Sequence, residues 1–108
     1  MNQWENIDAD KLLERLANGS VKPEQIIDVR EHHEWDYYRL EGTTHIPMSI
    51  FPDQLASIAP DKSWYILCGH GVRSVAVCRY MQENGYDALH NIVGGIAAVA
   101  ELKGFQYD

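Results

Sequence analysis

Apolar positions along this chain come in short runs that switch between two spacings. Ala9, Leu12, Leu13, Leu16 and Ala17 recur at helical intervals behind Asp8, which suits an N-cap, and Gly19 suits the stop. After a turn over 21–24 that contains Pro23, Gln25-Ile26-Ile27-Asp28-Val29 reads as a short buried strand. Glu31–Tyr38 follows as a short helix with Trp35 and Tyr38 on one side, and 44–46 as a brief strand closed by Pro47. Pro52, a residue suited to a first helical turn, opens a helix to Ile58. Ser63–Leu67 is a further strand, Val72–Asn84 the longest helix, Ala88–Val93 a strand, and Ile96–Leu102 the last helix.

Strands therefore alternate with helices. Their apolar runs lack clean polar alternation, as a parallel sheet covered on both faces requires. The 108 residues suit one domain, and no repeat, linker or low-complexity segment interrupts them. In such α/β folds sites gather at the carboxyl ends of strands. Asp28–Arg30, Cys68 and Gly94-Gly95 all fall at such ends and are expected around one crevice.

Composition narrows the classes. An apolar fraction of 45% with 23% charged residues describes a globular chain, not a disordered one. No stretch approaches the roughly 18 apolar residues of a membrane helix. Met1–Asn6 lacks the basic and apolar regions of a secretory leader, so a cytoplasmic protein with no membrane partner is expected. A net charge of −7 argues against nucleic acid as a partner. It also repels anionic substrates at long range, leaving Arg73 and His70 as the local groups to oppose that.

The two cysteines are no disulfide framework. Cys78 would lie about 9 Å along the long helix from its start, at about 1.5 Å per residue. A bridge needs Cα atoms roughly 4.4–6.8 Å apart, so Cys68 is expected to be a free thiol.

The chemistry concentrates in Leu67-Cys68-Gly69-His70-Gly71-Val72-Arg73-Ser74: strand, tight loop, helix. Backbone N–H groups in such a loop curl around one point, and the helix start adds partial positive charge. These surroundings favour an anion and predict a thiolate at Cys68. Gly69 and Gly71 leave room at the bottom of the cup, and Gly94-Gly95 permits a close backbone approach beside it. Arg73 sits where a cation opposes the helix dipole, which points to a role on loop carbonyls or toward a substrate. His70 either lines the mouth of the pocket or faces water.

Asp28 needs partners at its strand end, and holding backbone N–H groups or Arg30 is the expected use, ahead of general-base catalysis. Arg30 is expected to support the site in the same way or to reach an anionic donor. Cys78 reads as a packing residue and not as a resolving thiol. Adjacent helical residues such as His32 and His33 point about 100° apart and do not share one ion easily, so no metal is expected. Trp35, Tyr37 and Tyr38 read as packing and surface aromatics.

Four segments in order resemble the rhodanese family of sulfurtransferases: Asp28-Val29-Arg30-Glu31 with Glu34-Trp35; Gly42-Thr43 with His45-Ile46-Pro47; Cys68-x-x-Gly71-x-Arg73-Ser74; and Gly94-Gly95-Ile96. Tyr38-Arg39-Leu40 departs from the Gly-His-Ile often found there in the family. The resemblance implies a five-stranded parallel sheet between helices and a cofactor-free enzyme. Cys68 would take a sulfane sulfur from thiosulfate or a persulfide and pass it to cyanide, a small thiol or a protein thiol. Arg73 would assist, and Gly69, His70, Gly71, Val72 and Ser74 would bind the persulfide. Phosphatases with a cysteine loop carry Cys-x5-Arg, whereas here the spacing is Cys-x4-Arg and the sixth position is Ser74, a ring that suits one extra sulfur better than an oxyanion. The loop is less basic than those of members suited to thiosulfate, which leaves the donor open. A rhodanese-like docking module without turnover is the alternative from another class.

Overall fold

Five short strands lie side by side in the order β1-β5-β4-β2-β3, all parallel. They are β1 (Glu5–Ile7), β2 (Ile26–Asp28), β3 (Thr44–His45), β4 (Trp64–Leu67) and β5 (Leu89–Ile92). The helices are α1 (Ala9–Ala17), α2 (His32–Tyr37), α3 (Phe51–Gln54), α4 (Arg73–Glu83) and α5 (Gly95–Leu102). The computed structural model describes residues 4–107; Met1–Gln3, part of the segment read for a leader, lie outside the described residues. No helix of those residues is long and apolar enough to cross a membrane.

Side chains alternate across the sheet, as the period of two demands. Ile27, Ile66 and Leu89 pack with Phe51, Val77, Cys78 and Met81 on the α3 and α4 side. Ile26, Tyr65, Leu67 and Ile92 pack with Leu12, Ile96 and Val99 on the α1 and α5 side. With both faces covered, β4 reads as an unbroken apolar run and β2 is apolar up to Asp28, while β5 carries the polar His90 and Asn91 between Leu89 and Ile92.

The predicted helix at residue 9 is present, with the Asp8 carboxylate accepting from the Lys11 N–H at 2.9 Å. Several bounds shift by a residue or two, and two segments differ in kind. Tyr38 is extended, so α2 ends one residue early. The long helix begins at Arg73 and ends at Glu83. The segment from Pro52 to Ile58 splits into α3 and a 3₁₀ turn over Leu55–Ser57. β1 has no counterpart in the sequence pattern: of its three residues only Ile7 is buried, and pairing with β5 defines the strand.

Candidate active site

β4 ends at Leu67, and the chain then turns through Cys68–Val72 into α4. Cys68 belongs to the same apolar layer as Ile66 and is 1% exposed. Its Sγ accepts the Gly71 N–H at 3.0 Å, closing the loop on the sulfur. The N–H groups of Gly69, His70, Val72, Arg73 and Ser74 find no hydrogen-bond acceptor among the described residues. The loop thus holds unused backbone donors around a buried thiol, the raw material of an anion nest.

Two glycines make this geometry possible. At Gly71 φ is +90°, and a Cβ there would stand 2.8 Å from the Gly94 nitrogen. At Gly95 a Cβ would come within 2.5 Å of the Cys68 carbonyl oxygen. That approach lets the first turn of α5 reach the loop: Ile96 N–H donates to the Cys68 carbonyl at 2.8 Å and Ala97 N–H to that of Gly69 at 3.1 Å. The expected close approach of Gly94-Gly95 is therefore a hydrogen-bonded seat for the cysteine loop.

Ser74, fully buried in the first turn of α4, stands behind the sulfur. The Cys68 thiol donates to its Oγ at 3.3 Å, and the Ser74 hydroxyl donates to Oδ1 of Asn91. Asn91 lies on β5 in register with Asn6 of β1, and its Nδ2 donates to the Asn6 Oδ1 at 3.0 Å. A chain of hydrogen bonds therefore runs from Cys68 to the edge strand.

Arg73 does not turn onto the loop carbonyls. It makes a bidentate pair with Glu34 of α2, Nη1 to Oε1 at 2.8 Å and Nη2 to Oε2 at 2.7 Å. This is the fork geometry in which guanidinium–carboxylate pairs are strongest. The Arg73 hydrogen bonds hold the Glu34 carboxyl down at about 2, against the opposing effect of burial, and Glu34 in turn raises the ionisation of Arg73. The pair lies over Gly69, where a Cβ would meet Arg73 Nη2 at 2.8 Å. The cation that opposes the α4 dipole is thus compensated from another helix.

Asp28 and Arg30 form a buried pair, with Nη2 to Oδ2 at 2.8 Å. Arg30 also donates to the carbonyls of Glu34 and Tyr38 and to the Tyr107 hydroxyl. With every donor engaged and no exposure, Arg30 cannot meet an anionic donor, which corrects that expectation. Asp28, whose carboxylate accepts from Arg30 and its backbone N–H, holds the pair in place. Through these contacts the pair ties α2 and the C-terminal segment to the end of β2.

His70 is exposed at the mouth. Its ring meets Tyr107 edge-on at 6.1 Å between centroids. These two residues divide two clefts. One of about 780 Å³ is lined by Gly94, Ala97, Glu101 and Phe105 as well, and one of about 490 Å³ by His33, Glu34 and Tyr37. Phe105 stacks on Tyr38 at 4.4 Å, so this aromatic forms part of the wall that carries Tyr107. Val72, 77% exposed, projects from the loop.

Cys78 is buried and unbridged, and desolvation with the nearby Cys68 pushes its thiol up to about 12. It packs in the core and stays protonated, as expected for a structural cysteine. Sequence reasoning missed the roles of Glu34, Asn91 and Tyr107. Glu34 carried a signal, since it pairs with the Glu31 backbone in a capping box at the start of α2. Asn91 and Tyr107 carried none.

Residues 8–102 match the family described as "Rhodanese-like domain". A "Sulfurtransferase" of Allochromatium vinosum is 31% identical over 94 residues, 87% of this chain and 86% of that protein. The "Rhodanese-like/PpiC domain-containing protein 12, chloroplastic" of Arabidopsis thaliana is 37% identical over 78 residues, but the match spans only 26% of that longer protein. Among solved structures, a rhodanese-like domain protein from Staphylococcus aureus superposes with a TM-score of 0.79 at 37% identity, covering 88% of this chain and 90% of that one.

Proposed function

Because this chain belongs to the rhodanese-like domain family, we propose that it is a sulfurtransferase that carries sulfur as a persulfide on Cys68. Family and relatives support sulfur transfer; the roles of individual residues are inferred from the geometry. The Cys68 thiolate attacks the outer sulfur of a sulfane donor. A Cys68 S–S bond forms as the donor's S–S bond breaks, and the donor leaves with the bonding pair as a thiolate or sulfite. The terminal sulfur then passes to cyanide, giving thiocyanate, or to a thiol, giving a new persulfide and returning the proton to Cys68.

The observation that carries this reading is the loop itself: a thiol held by Gly71 N–H, ringed by N–H groups without acceptors among the described residues. Those donors would hold the anionic terminal sulfur, acting where charge develops as an oxyanion hole does. Arg73 would steady the loop over Gly69 while Glu34 holds it. His70 and Tyr107 would border the approach path.

The donor follows from charge. With Arg73 neutralised by Glu34 and the chain carrying −7, the mouth offers a dianion little attraction. A persulfide donor fits better than thiosulfate. Steady-state kinetics with each donor should give a higher kcat/KM for the persulfide, and none in Cys68→Ala. A reversed order would defeat the choice of donor; full turnover in Cys68→Ala would defeat the mechanism. The burial of Cys68 is what favours the docking-module alternative, and a folded protein inert toward both donors would shift the weight to it.

A further inference from the structure

We propose that Asn91 is a positioning residue for sulfur transfer: by choosing which way the Ser74 hydroxyl points, it sets whether Cys68 is held as a thiol or as an anion. The inference rests on the persulfide reading above and concerns how the same site changes state.

Ser74 has one proton to donate. In this structure it goes to Asn91 Oδ1, so Ser74 Oγ offers the sulfur only a lone pair and accepts the thiol S–H at 3.3 Å. That arrangement suits a thiol. An anionic sulfur has no proton to give and needs the Ser74 hydroxyl turned toward it. The turn would leave Asn91 Oδ1 facing an oxygen lone pair, with Asn91 only 3% exposed and so without ready access to solvent.

An amide resolves the conflict. Exchanging its oxygen and nitrogen leaves its shape unchanged while turning an acceptor into a donor. If Asn91 flips, its Nδ2 donates to Ser74 Oγ, and the Ser74 proton is free for Cys68. Oδ1 then faces Asn6, which answers by flipping in turn and donating its own Nδ2. Asn6 is exposed, so its flip only exchanges one solvated face for another. The direction of three hydrogen bonds therefore reverses together without repacking the core. No proton travels along the chain; the thiol proton leaves Cys68 for a base in solvent when the thiolate forms.

The proposal makes variants at one position move in opposite directions. In Asn91→Leu the hydroxyl has no competing acceptor and is left to the sulfur. In Asn91→Asp the carboxylate only accepts, which locks the Ser74 proton away from Cys68. Asn6→Asp imposes the same lock from the exposed end, since an aspartate there can only accept from Asn91 Nδ2 and so fixes Oδ1 on Ser74.

The readout is the rate of Cys68 alkylation by iodoacetamide at neutral pH, which follows thiolate content, alongside persulfide loading of the unaltered protein from a persulfide donor. Alkylation should quicken about three- to tenfold in Asn91→Leu and slow by a similar factor in Asn91→Asp, the range one hydrogen bond supplies. Asn6→Asp should also slow it, and the slowing should persist in about 1 M salt, where a Debye length of about 3 Å screens the part of the added charge that acts through solvent. Rates that move together in both Asn91 variants, or an Asn6→Asp rate equal to the parent in high salt, would overturn the proposal. If Asn91→Leu does not fold, the exposed Asn6→Asp decides alone. Failure of the parent to load sulfur would instead defeat the persulfide reading, whatever the alkylation rates.

Discussion

The two ends of the sheet carry polar clusters of very different kinds. At the amino end, Ser63 Oγ meets His90 Nε2 at 2.8 Å, and His90 Nδ1 meets Glu5 Oε1 at 2.7 Å. Arg15 closes that set, donating to Glu5 at 3.2 Å and to the Tyr65 hydroxyl at 2.8 Å. At the carboxyl end, Cys68 sits among loop N–H groups that find no acceptor among the described residues. The serine–histidine–carboxylate series looks the more chemical of the two when written as distances. Its groups are nevertheless engaged with one another: the carboxylate also answers an arginine, and the imidazole stacks on Tyr65 at 4.1 Å. A triad also needs preorganised donors for a developing oxyanion, and unused donors are what the carboxyl end has. Reactivity belongs where donors are left over, and stability where they are paired.

The largest expected effect comes from removing the nucleophile. Cys68→Ala should abolish sulfur transfer while the far-ultraviolet circular dichroism stays that of the parent, because a buried Ala still fills most of the site. Gly95→Ala should follow. Its Cβ would stand 2.5 Å from the Cys68 carbonyl, at φ +61°, so the loop must leave its seat on α5. Urea denaturation should show a loss of about 1–3 kcal/mol with a collapse of kcat/KM; a variant with parental activity would remove α5 from the account of the loop.

Glu34→Gln is expected to be smaller in stability than in function. The pair is partly exposed, so solvent screening limits its stabilisation to about 1 kcal/mol or less, while loosening Arg73 over the loop should lower kcat/KM several-fold. Acid sharpens this. Glu34 protonates near 2 in the folded chain against an ordinary value of 4.5, so its contribution is present above about 4.5 and is lost as pH falls toward 2. An acid titration of stability should therefore be shallower over that window in Glu34→Gln than in the parent; identical slopes would count against the pair.

The smallest effect tests the amino end. Ser63→Ala should cost about 0.5–1.5 kcal/mol, the net value of one hydrogen bond, and leave kcat/KM unchanged. A large loss of turnover would erase the distinction between the two ends.

What was legible in the sequence was local. A cysteine between an apolar run and a glycine-punctuated helix start implies the strand–loop–helix turn, because glycine's freedom and the helix N-terminus act within a few residues. Gly94-Gly95 was readable for the same reason. What stayed hidden depends on distance along the chain. Arg73 finds Glu34 39 residues away, and Arg30 finds Tyr107 77 residues away, so neither pairing leaves a spacing to read. Asn91 looks like an ordinary polar residue in a strand until the register sets it between Ser74 and Asn6. β1 is a strand only because β5 offers an unpaired edge; three residues with one buried side chain carry no period.

The most direct test of the central claim is intact-protein mass spectrometry after incubation with a persulfide donor or with thiosulfate, followed by cyanide. The account predicts a gain of one sulfur, about 32 Da, located on Cys68, absent in Cys68→Ala and removed by cyanide as thiocyanate. Cys78, held protonated up to about 12, should stay unmodified. A folded protein with a free Cys68 that gains no sulfur from either donor, or gains it elsewhere, would contradict it.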